Sequence, residues 1–178
     1  MENLRWPVIV ITAIIALALW GGGSYYHRYY VKETPLLEQL SEMEEIGEAG
    51  LHREDGEAIL RIKPSPGYRG PLPDFYCRVE GLAQEELKEP VRVIFEDRPN
   101  QRLELFAREV SPALYEGARR GNYRQVAESI KLLAEKYRLT EREFAVDSHR
   151  LYLQVWDGDY CLYLVVKVEE AKGGESDA

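Results

Sequence analysis

An uncharged apolar run near the N terminus is the feature that most constrains this chain. Residues 6–23 contain no Asp, Glu, Lys or Arg, and Trp6 and Trp20 lie near the two ends of the run. A helix over 6–26 rises about 30 Å, the thickness of a bilayer core, and tryptophan side chains prefer the membrane interfaces. The run therefore predicts a single transmembrane helix at 6–26, held in the lipid bilayer and preceded by a short tail at 1–5.

A cleaved signal peptide is an alternative interpretation of the same run. The glycines at 21–23 are small enough for a cleavage site, but the n-region carries only Arg5, offset by Glu2, and Trp20 is bulky. A buried helix of a soluble domain is a third interpretation, although such a helix rarely lacks a polar face over this length. We therefore expect an uncleaved anchor.

The charges on the two sides of the anchor are nearly balanced. Arg5 and the amino terminus precede it, whereas Arg28 and Lys32 follow it. The positive-inside rule therefore gives little preference, but a short tail ahead of a single anchor usually stays in the cytoplasm. We expect the rest of the chain to form an extracytoplasmic domain of a single-pass membrane protein.

Composition and charge exclude several functional classes. The chain carries 31 acidic and 23 basic residues, a net charge of −8, which argues against nucleic-acid binding. Two cysteines and three histidines are too few for a disulfide scaffold or a histidine-built metal centre. No glycine-rich phosphate loop and no hydrolase or metalloprotease motif is present, so the sequence predicts no cofactor and no metal site.

A short helical stalk is predicted at 27–49, between the anchor and the domain. Pro35 fits a first helical turn, and Leu36, Leu40 and Met43 repeat at helical spacing. This stripe is either a juxtamembrane dimer contact or the buried face of a helix docked on its own domain. The second interpretation is favoured, because fewer than two heptads are too short for a coiled coil.

The globular domain is predicted at 50–168, followed by a flexible charged tail at 169–178. Strands are expected at 57–63, 75–79 and 91–95, with a helical turn at 84–88. The segment 64–73 contains four prolines and two glycines, so it is neither helix nor central strand. Within it, Tyr68 and Arg69 are candidates for a contact with a partner, the alternative being a linker loop.

Helices are expected in the middle of the domain. One face at 103–110 is apolar, and Ser111-Pro112 is read as a cap that ends this helix and restarts another at 113–120. Gly121 is expected to end that second helix, before a third at 123–138.

Asp157-Gly158 predicts a two-residue hairpin between strands at 150–156 and 159–168. With that turn, Leu153 would face Leu162, and one side of the hairpin is continuously apolar. The predicted fold is α+β: an antiparallel sheet of about four to five strands with two to three helices on one face. The order of elements does not suggest the βαβ alternation of nucleotide-binding folds.

The other side of the hairpin carries three aromatic residues, Tyr152, Trp156 and Tyr163. They are candidates for an interface patch, or they form a second core layer beneath a helix, which is the favoured interpretation. Cys77 and Cys161 both fall on predicted strands and are candidates for a disulfide in an oxidising compartment, the alternative being free, buried thiols in the cytosol.

Asp147-Ser148-His149 is the most compact polar trio in the sequence, but neighbours along a chain rarely converge as a catalytic triad does. The chain is therefore expected to be a membrane-anchored interaction or assembly protein without catalysis, with a protein partner or a second copy of itself as the ligand. The alternatives are a ligand-sensing domain and an enzyme whose site one sequence does not reveal.

Overall fold

The computed structural model describes residues 34–168, and these form four helices and six strands. The elements in chain order are α1 (Thr34–Ser41), β1 (Ile46–Glu54), β2 (Glu57–Pro64), α2 (Leu72–Leu87), β3 (Val91–Phe95), α3 (Gln101–Arg120), α4 (Tyr123–Tyr137), β4 (Glu141–Val146), β5 (Arg150–Asp157) and β6 (Tyr160–Lys167). The α+β class predicted from the sequence is confirmed.

The strands lie in two three-stranded sheets rather than in the single antiparallel sheet that we expected. The first sheet has the order β1-β2-β3, in which β1 and β2 are antiparallel and β2 and β3 are parallel. The parallel pair is joined through α2, so the chain does contain one βαβ unit. The second sheet has the order β4-β5-β6 and is antiparallel throughout.

The strand β1, which the sequence analysis did not predict, forms a hairpin with β2. Asp55 and Gly56 connect β1 to β2, and both have positive φ, 50° and 84°, as a type I′ turn requires. Only Ile46 of β1 is buried. Without an alternating apolar pattern, the strand was not recognisable beside its turn.

Two apolar clusters hold the second sheet between them. One side of this sheet packs on α3 and α4 through Leu151, Leu153 and Val155. Its other side, which carries Tyr152 and Tyr163, packs into the cluster formed by α1, α2 and the first sheet. Helices therefore cover both faces of this sheet, and the expectation of helices on one face was wrong.

The predicted strand at 75–79 is part of the helix α2. Phe75, Tyr76, Val79 and Ala83 are all buried, and their spacing is helical rather than alternating. Pro71 and Pro73 surround the first helical residue, where proline is tolerated. The predicted helical turn at 84–88 is the end of the same helix.

Pro112 does not divide α3. The helix runs unbroken from Gln101 to Arg120, with Pro112 inside it, and the hydroxyl of Ser111 donates to the carbonyl of Ala107 at 2.6 Å. The buried residues continue in one stripe on both sides of the proline, at Leu103, Phe106, Val110 and Leu114. Tertiary packing of this stripe therefore outweighs the local cost of the proline.

The second hairpin is shifted by one position from the predicted turn. Asp157 pairs with Tyr160, so Gly158 and Asp159 are the loop residues, and Gly158 has φ 62°. Glycine at the first central position is typical of a type II′ turn. Leu153 consequently faces Leu164 rather than Leu162, but each residue keeps its predicted face because the partners move by two.

The helix α1 belongs to the domain core. Leu36 and Leu40 are fully buried in the cluster of α2 and the first sheet. β1 begins at Ile46, so the predicted domain start at residue 50 falls inside a strand. Within 34–168, no helix is both long and apolar enough to cross a membrane, and the predicted anchor at 6–26 and the tail at 169–178 lie outside the described residues.

Candidate functional site

Among the described residues, one isolated backbone bridge joins the two sheets, where the chain leaving β3 meets the start of β6. Arg98 and Cys161 form an antiparallel bridge with two backbone hydrogen bonds, Arg98 N to Cys161 O at 3.1 Å and Cys161 N to Arg98 O at 3.0 Å. Beyond this bridge β3 pairs with β2 and β6 pairs with β5. The facing edges of β3 and β6 therefore diverge and leave a groove between the sheets.

Asp97 lies where the groove begins. Its Oδ1 accepts a 2.5 Å hydrogen bond from the backbone N–H of Tyr163. The side chain thus takes the place that a backbone carbonyl of β3 would occupy in a continuous sheet. Although part of the residue is open to solvent, desolvation of the carboxyl group raises the pKa of Asp97 to about 6.

The groove between β3 and β6 has a volume of about 740 Å³. The walls are residues 91–95 of β3 and four residues of β6, and α2 forms the floor with Tyr76, Glu80 and Gln84. The four residues of β6 are Tyr163, Leu164, Val165 and Lys167. Val91 and Lys167 lie at the end away from Asp97. The groove is therefore bounded by strand edges on two sides and by a helix below.

The hydrogen-bond pattern of β6 identifies which of its backbone groups face the groove. Cys161 pairs with Arg98 and so points away from β5, and Tyr163 donates to Asp97 in the same direction. Alternation in an antiparallel ladder then directs the N–H and C=O groups of Val165 and Lys167 into the groove.

The same reasoning applies to β3. The N–H of Glu96 donates to the carbonyl of Ile62 on β2 at 2.7 Å. Along a parallel strand, alternate residues bond to opposite sides, so Arg92 and Ile94 bond to β2. The N–H and C=O groups of Val91, Val93 and Phe95 therefore point toward the groove.

The floor of the groove is closed by an ion pair. Arg150 Nη2 lies 2.5 Å from Glu80 Oε1, with side-chain exposures of 18% and 17%. The Arg150 guanidinium also stacks 4.4 Å from the ring centroid of Tyr76, and burial raises the pKa of Tyr76. The floor is thus neutral, since the two charges compensate each other.

A second cleft of about 560 Å³ lies on the other side of Asp97. Its charged lining consists of Glu48, Lys63, Arg69, Glu96, Asp97, Arg98 and Asp159. Cys161 and Tyr163 line the cleft next to Asp97, and Gly47 and residues 64–67 also belong to the lining. The groove also has charged side chains of both signs in its lining, namely Glu57, Glu80, Arg92, Asp97, Arg150 and Lys167, but two of its sides are strand edges.

The three predicted interface aromatics are inside the described domain. Tyr152 is 1% exposed, Trp156 6% and Tyr163 6%. The ring of Tyr152 contacts that of Tyr76, and the ring of Tyr163 contacts that of Phe95. Tyr152 and Tyr163 pack the second sheet against α2 and the first sheet, and Trp156 is buried beneath Arg69, so the three do not form an exposed patch.

The two predicted loop residues fasten the loop to two different elements, Tyr68 to α2 and Arg69 to the second sheet. Tyr68 is half-buried, and its ring lies 4.9 Å from that of Phe75. Arg69 lies over the ring of Trp156 at 4.8 Å and donates to the carbonyl of Gly158 at 3.2 Å. Arg69 therefore connects the loop after β2 to the tip of the β5–β6 hairpin.

Cys77 and Cys161 are not bonded to each other. Cys77 is exposed on α2, so its predicted position on a strand was wrong, and Cys161 is partly buried on β6. Burial and the neighbouring Cys161 raise the pKa of Tyr163.

Asp147 forms hydrogen bonds within the turn that precedes β5 and with Tyr152. Its carboxylate accepts hydrogen bonds from the backbone N–H groups of His149 and Arg150 and from the hydroxyl of Tyr152. These contacts stabilise the entry into β5 and hold the pKa of Asp147 below its usual value, against the opposing effect of burial. Between residues 34 and 168, no three His, Cys, Asp or Glu side chains group as a metal site would require.

Asp97 and the groove were missed in the sequence. The segment Glu96-Asp97-Arg98-Pro99 reads as an ordinary polar loop after β3. The groove depends on a contact between residues more than sixty positions apart, and no local pattern carries that information.

Comparisons with protein-family models, with curated proteins and with solved structures find no match to this chain.

Proposed function

We propose that this chain is a single-pass membrane-anchored protein whose domain docks a protein partner without catalysis, and that the groove is the docking site. The observation that carries the proposal is the pair of strand edges, β3 and β6, that face each other across a cavity of about 740 Å³. Exposed strand edges are common docking sites for other polypeptide chains.

The anchor in this proposal is the uncharged run at 6–26, which has the length and the flanking aromatic residues of a transmembrane helix. The domain then lies on the extracytoplasmic side, as the short N-terminal tail favours. The exposed thiol of Cys77 provides a test, in a variant that carries Cys161→Ser. A membrane-impermeant thiol reagent applied to intact cells should label Cys77, whereas labelling only after lysis would place the domain in the cytoplasm.

The groove offers more to a polypeptide than to a small molecule. Its walls present backbone donors and acceptors in the repeating pattern of a strand, and its floor carries a compensated ion pair. An extended polypeptide can hydrogen-bond to these backbone groups along the whole length of the groove. A small ligand would leave most of them without a hydrogen-bond partner.

The experiment compares a groove variant with a matched surface variant in the full chain. Ile94 lines the groove, and Leu105 is an exposed leucine on α3 that does not. A partner that co-purifies from membranes is identified by mass spectrometry and purified, and its Kd is measured. Ile94→Glu should raise this Kd at least about tenfold while Leu105→Glu leaves it unchanged. Equal effects of the two substitutions would contradict the proposal.

Ligand sensing is a second candidate function, and the cleft beside Arg69 and Arg98 favours it. Three cationic side chains, those of Lys63, Arg69 and Arg98, line this cleft beside four carboxylates, one of which is that of Asp97, whose pKa is raised. A small charged ligand that bound there would raise the Tm of the full chain, and Arg98→Ala would abolish that shift. The absence of any shift across a library of small charged ligands would remove this candidate.

A further inference from the structure

We infer that the groove binds its partner by strand addition: an extended peptide segment inserts between β3 and β6 and hydrogen-bonds to both edges, joining the two sheets into one. This inference rests on the proposed function and specifies the chemistry of the partner. The ligand is a segment of another polypeptide chain in β conformation, with an uncharged centre.

The first support is the position of the backbone groups that have no strand partner within residues 34–168. On β3, alternation directs the N–H and C=O groups of Val91, Val93 and Phe95 toward the groove, and on β6 it does so for Val165 and Lys167. The side chains of Val91, Val93 and Phe95 are buried, so these backbone groups belong to a core strand. An inserted strand supplies both edges with hydrogen-bond partners at once.

The second support is the relative direction of the two edges. The bridge between Arg98 and Cys161 is antiparallel, so β3 and β6 run in opposite directions along the groove. An inserted strand therefore pairs in parallel with one edge and antiparallel with the other, and both arrangements are common in mixed sheets. Neither edge prevents the insertion.

Asp97 sets the length of the inserted segment. Its carboxylate already occupies the space between the strands at one end, where it holds the N–H of Tyr163. From there to Val91 the β3 edge has five residues, which span about 16 Å at 3.3 Å per residue. The groove thus accommodates about five residues of the partner.

The floor and the upper side determine the side chains that fit. Side chains that point to α2 meet Tyr76 and the Glu80–Arg150 pair, where a further unpaired charge would be costly. Side chains that point the other way lie between Ile94 and Leu164, both partly buried and apolar. The central residues of the segment are therefore uncharged, with apolar side chains on the face that meets Ile94 and Leu164.

The test uses a display library of random decapeptides screened against the full chain in lipid nanodiscs. Val165→Pro removes the one N–H that β6 directs into the middle of the groove, without touching a bond to β5, and Val165→Ala is the matched control that keeps this N–H. Circular dichroism checks that each variant is folded, and Val93→Pro on the opposite edge provides a second variant.

Strand addition predicts that selected peptides have uncharged centres, bind Val165→Ala like the wild type, and bind Val165→Pro at least about tenfold more weakly. Selection of no peptide, or equal binding to both variants, would overturn the inference. A further variant, in which a Gly-Ser linker of equal length replaces residues 24–33, tests whether the chain's own segment competes with the peptides. If peptides bind only after this replacement, the groove is occupied by the chain's own segment and the inference fails.

Failure of strand addition is distinguishable from failure of the proposed function. If the purified partner loses affinity for Ile94→Glu but binds Val165→Pro and Val93→Pro normally, the groove docks a partner through side chains alone. The inference would then be wrong while the proposed function stands.

Discussion

The carboxylate of Asp97 accepts a 2.5 Å hydrogen bond from the backbone N–H of Tyr163, and this single contact closes one end of the groove between β3 and β6. It also separates the groove from the second cleft, because both residues line both cavities. A side chain here performs what a backbone carbonyl does in a continuous sheet. The contact therefore marks the place where the two sheets separate.

Stability should depend on pH through Asp97. Desolvation raises its folded-state pKa to about 6 from an ordinary value of 3.8, so the folded protein holds this proton more tightly than the unfolded chain. The stabilising contribution is fully present below the unfolded value and is lost as the pH rises to about 6.

The Asp97→Asn variant isolates this effect, because the amide oxygen still accepts from Tyr163 N–H and does not titrate. Between pH 4 and pH 7, the free energy of unfolding of the wild type should fall relative to that of Asp97→Asn. Urea unfolding of both proteins across that range provides the measurement. A difference that stays constant with pH would show that Asp97 titrates normally.

The close approach of α3 and α4 depends on Gly117. A Cβ at this position would lie 2.2 Å from Cγ2 of Val126. Gly117→Ala should therefore lower the free energy of unfolding by about 1–3 kcal/mol, and Val126→Ala should restore part of the loss in the double variant.

Gly81→Ala is the matched control for that substitution. Gly81 also lies inside a helix, α2, but its Cβ would meet no atom within 4 Å. The substitution should stabilise the protein by about 0.5–1 kcal/mol, because alanine favours the helix over glycine. Thermal unfolding of both variants checks the contrast, and equal destabilisation would argue against the α3–α4 contact.

Arg69 should contribute to the attachment of the loop after β2. Arg69→Ala removes the hydrogen bond to Gly158 O and the contact with the Trp156 ring. Because the side chain is 42% exposed, the expected loss is only about 1 kcal/mol. Arg124→Ala, an exposed arginine on α4, serves as the control and should change the urea midpoint little.

Glu80 should contribute more to the free energy of unfolding than an exposed glutamate of the same helix does. Glu80→Ala leaves the Arg150 guanidinium without its carboxylate partner in a site where it is 18% exposed. The expected cost is about 2 kcal/mol, whereas Glu85→Ala on the solvent side of α2 should cost little. If both variants unfold at the same urea concentration, the ion pair does not hold the floor of the groove.

Local patterns in the sequence predicted the elements whose burial follows one period. β3, α4 and the faces of the β5–β6 hairpin were predicted correctly from their apolar patterns, and β2 was predicted correctly although its alternation is imperfect. The strand assigned to Phe75-Tyr76 failed because aromatic residues favour strands locally, whereas the buried stripe of α2 continues to Ala83 and Leu87 at helical spacing.

The groove could not be predicted from local patterns, because it exists only where β3 and β6 do not pair with each other. β3 and β6 are recognisable as strands, but the groove between them depends on where they come together, at the Arg98–Cys161 bridge and the Asp97–Tyr163 hydrogen bond. The aromatic face of the hairpin could be located in the sequence, and a second core layer beneath a helix was its favoured interpretation, but the sequence did not identify α2 as the helix that covers Tyr152 and Tyr163. Burial of this kind is decided by tertiary packing and leaves no local signature.

Amide hydrogen exchange at two neighbouring residues of β6 tests the central claim most directly. Alternation directs the N–H of Leu164 to β5 and that of Val165 into the groove. In the full chain in nanodiscs, Val165 should exchange much faster than Leu164, and a library-selected peptide should slow Val165 at least about tenfold while leaving Leu164 unchanged. Slow exchange of Val165 before the peptide is added, or exchange that the bound peptide does not alter, would contradict strand addition in this groove.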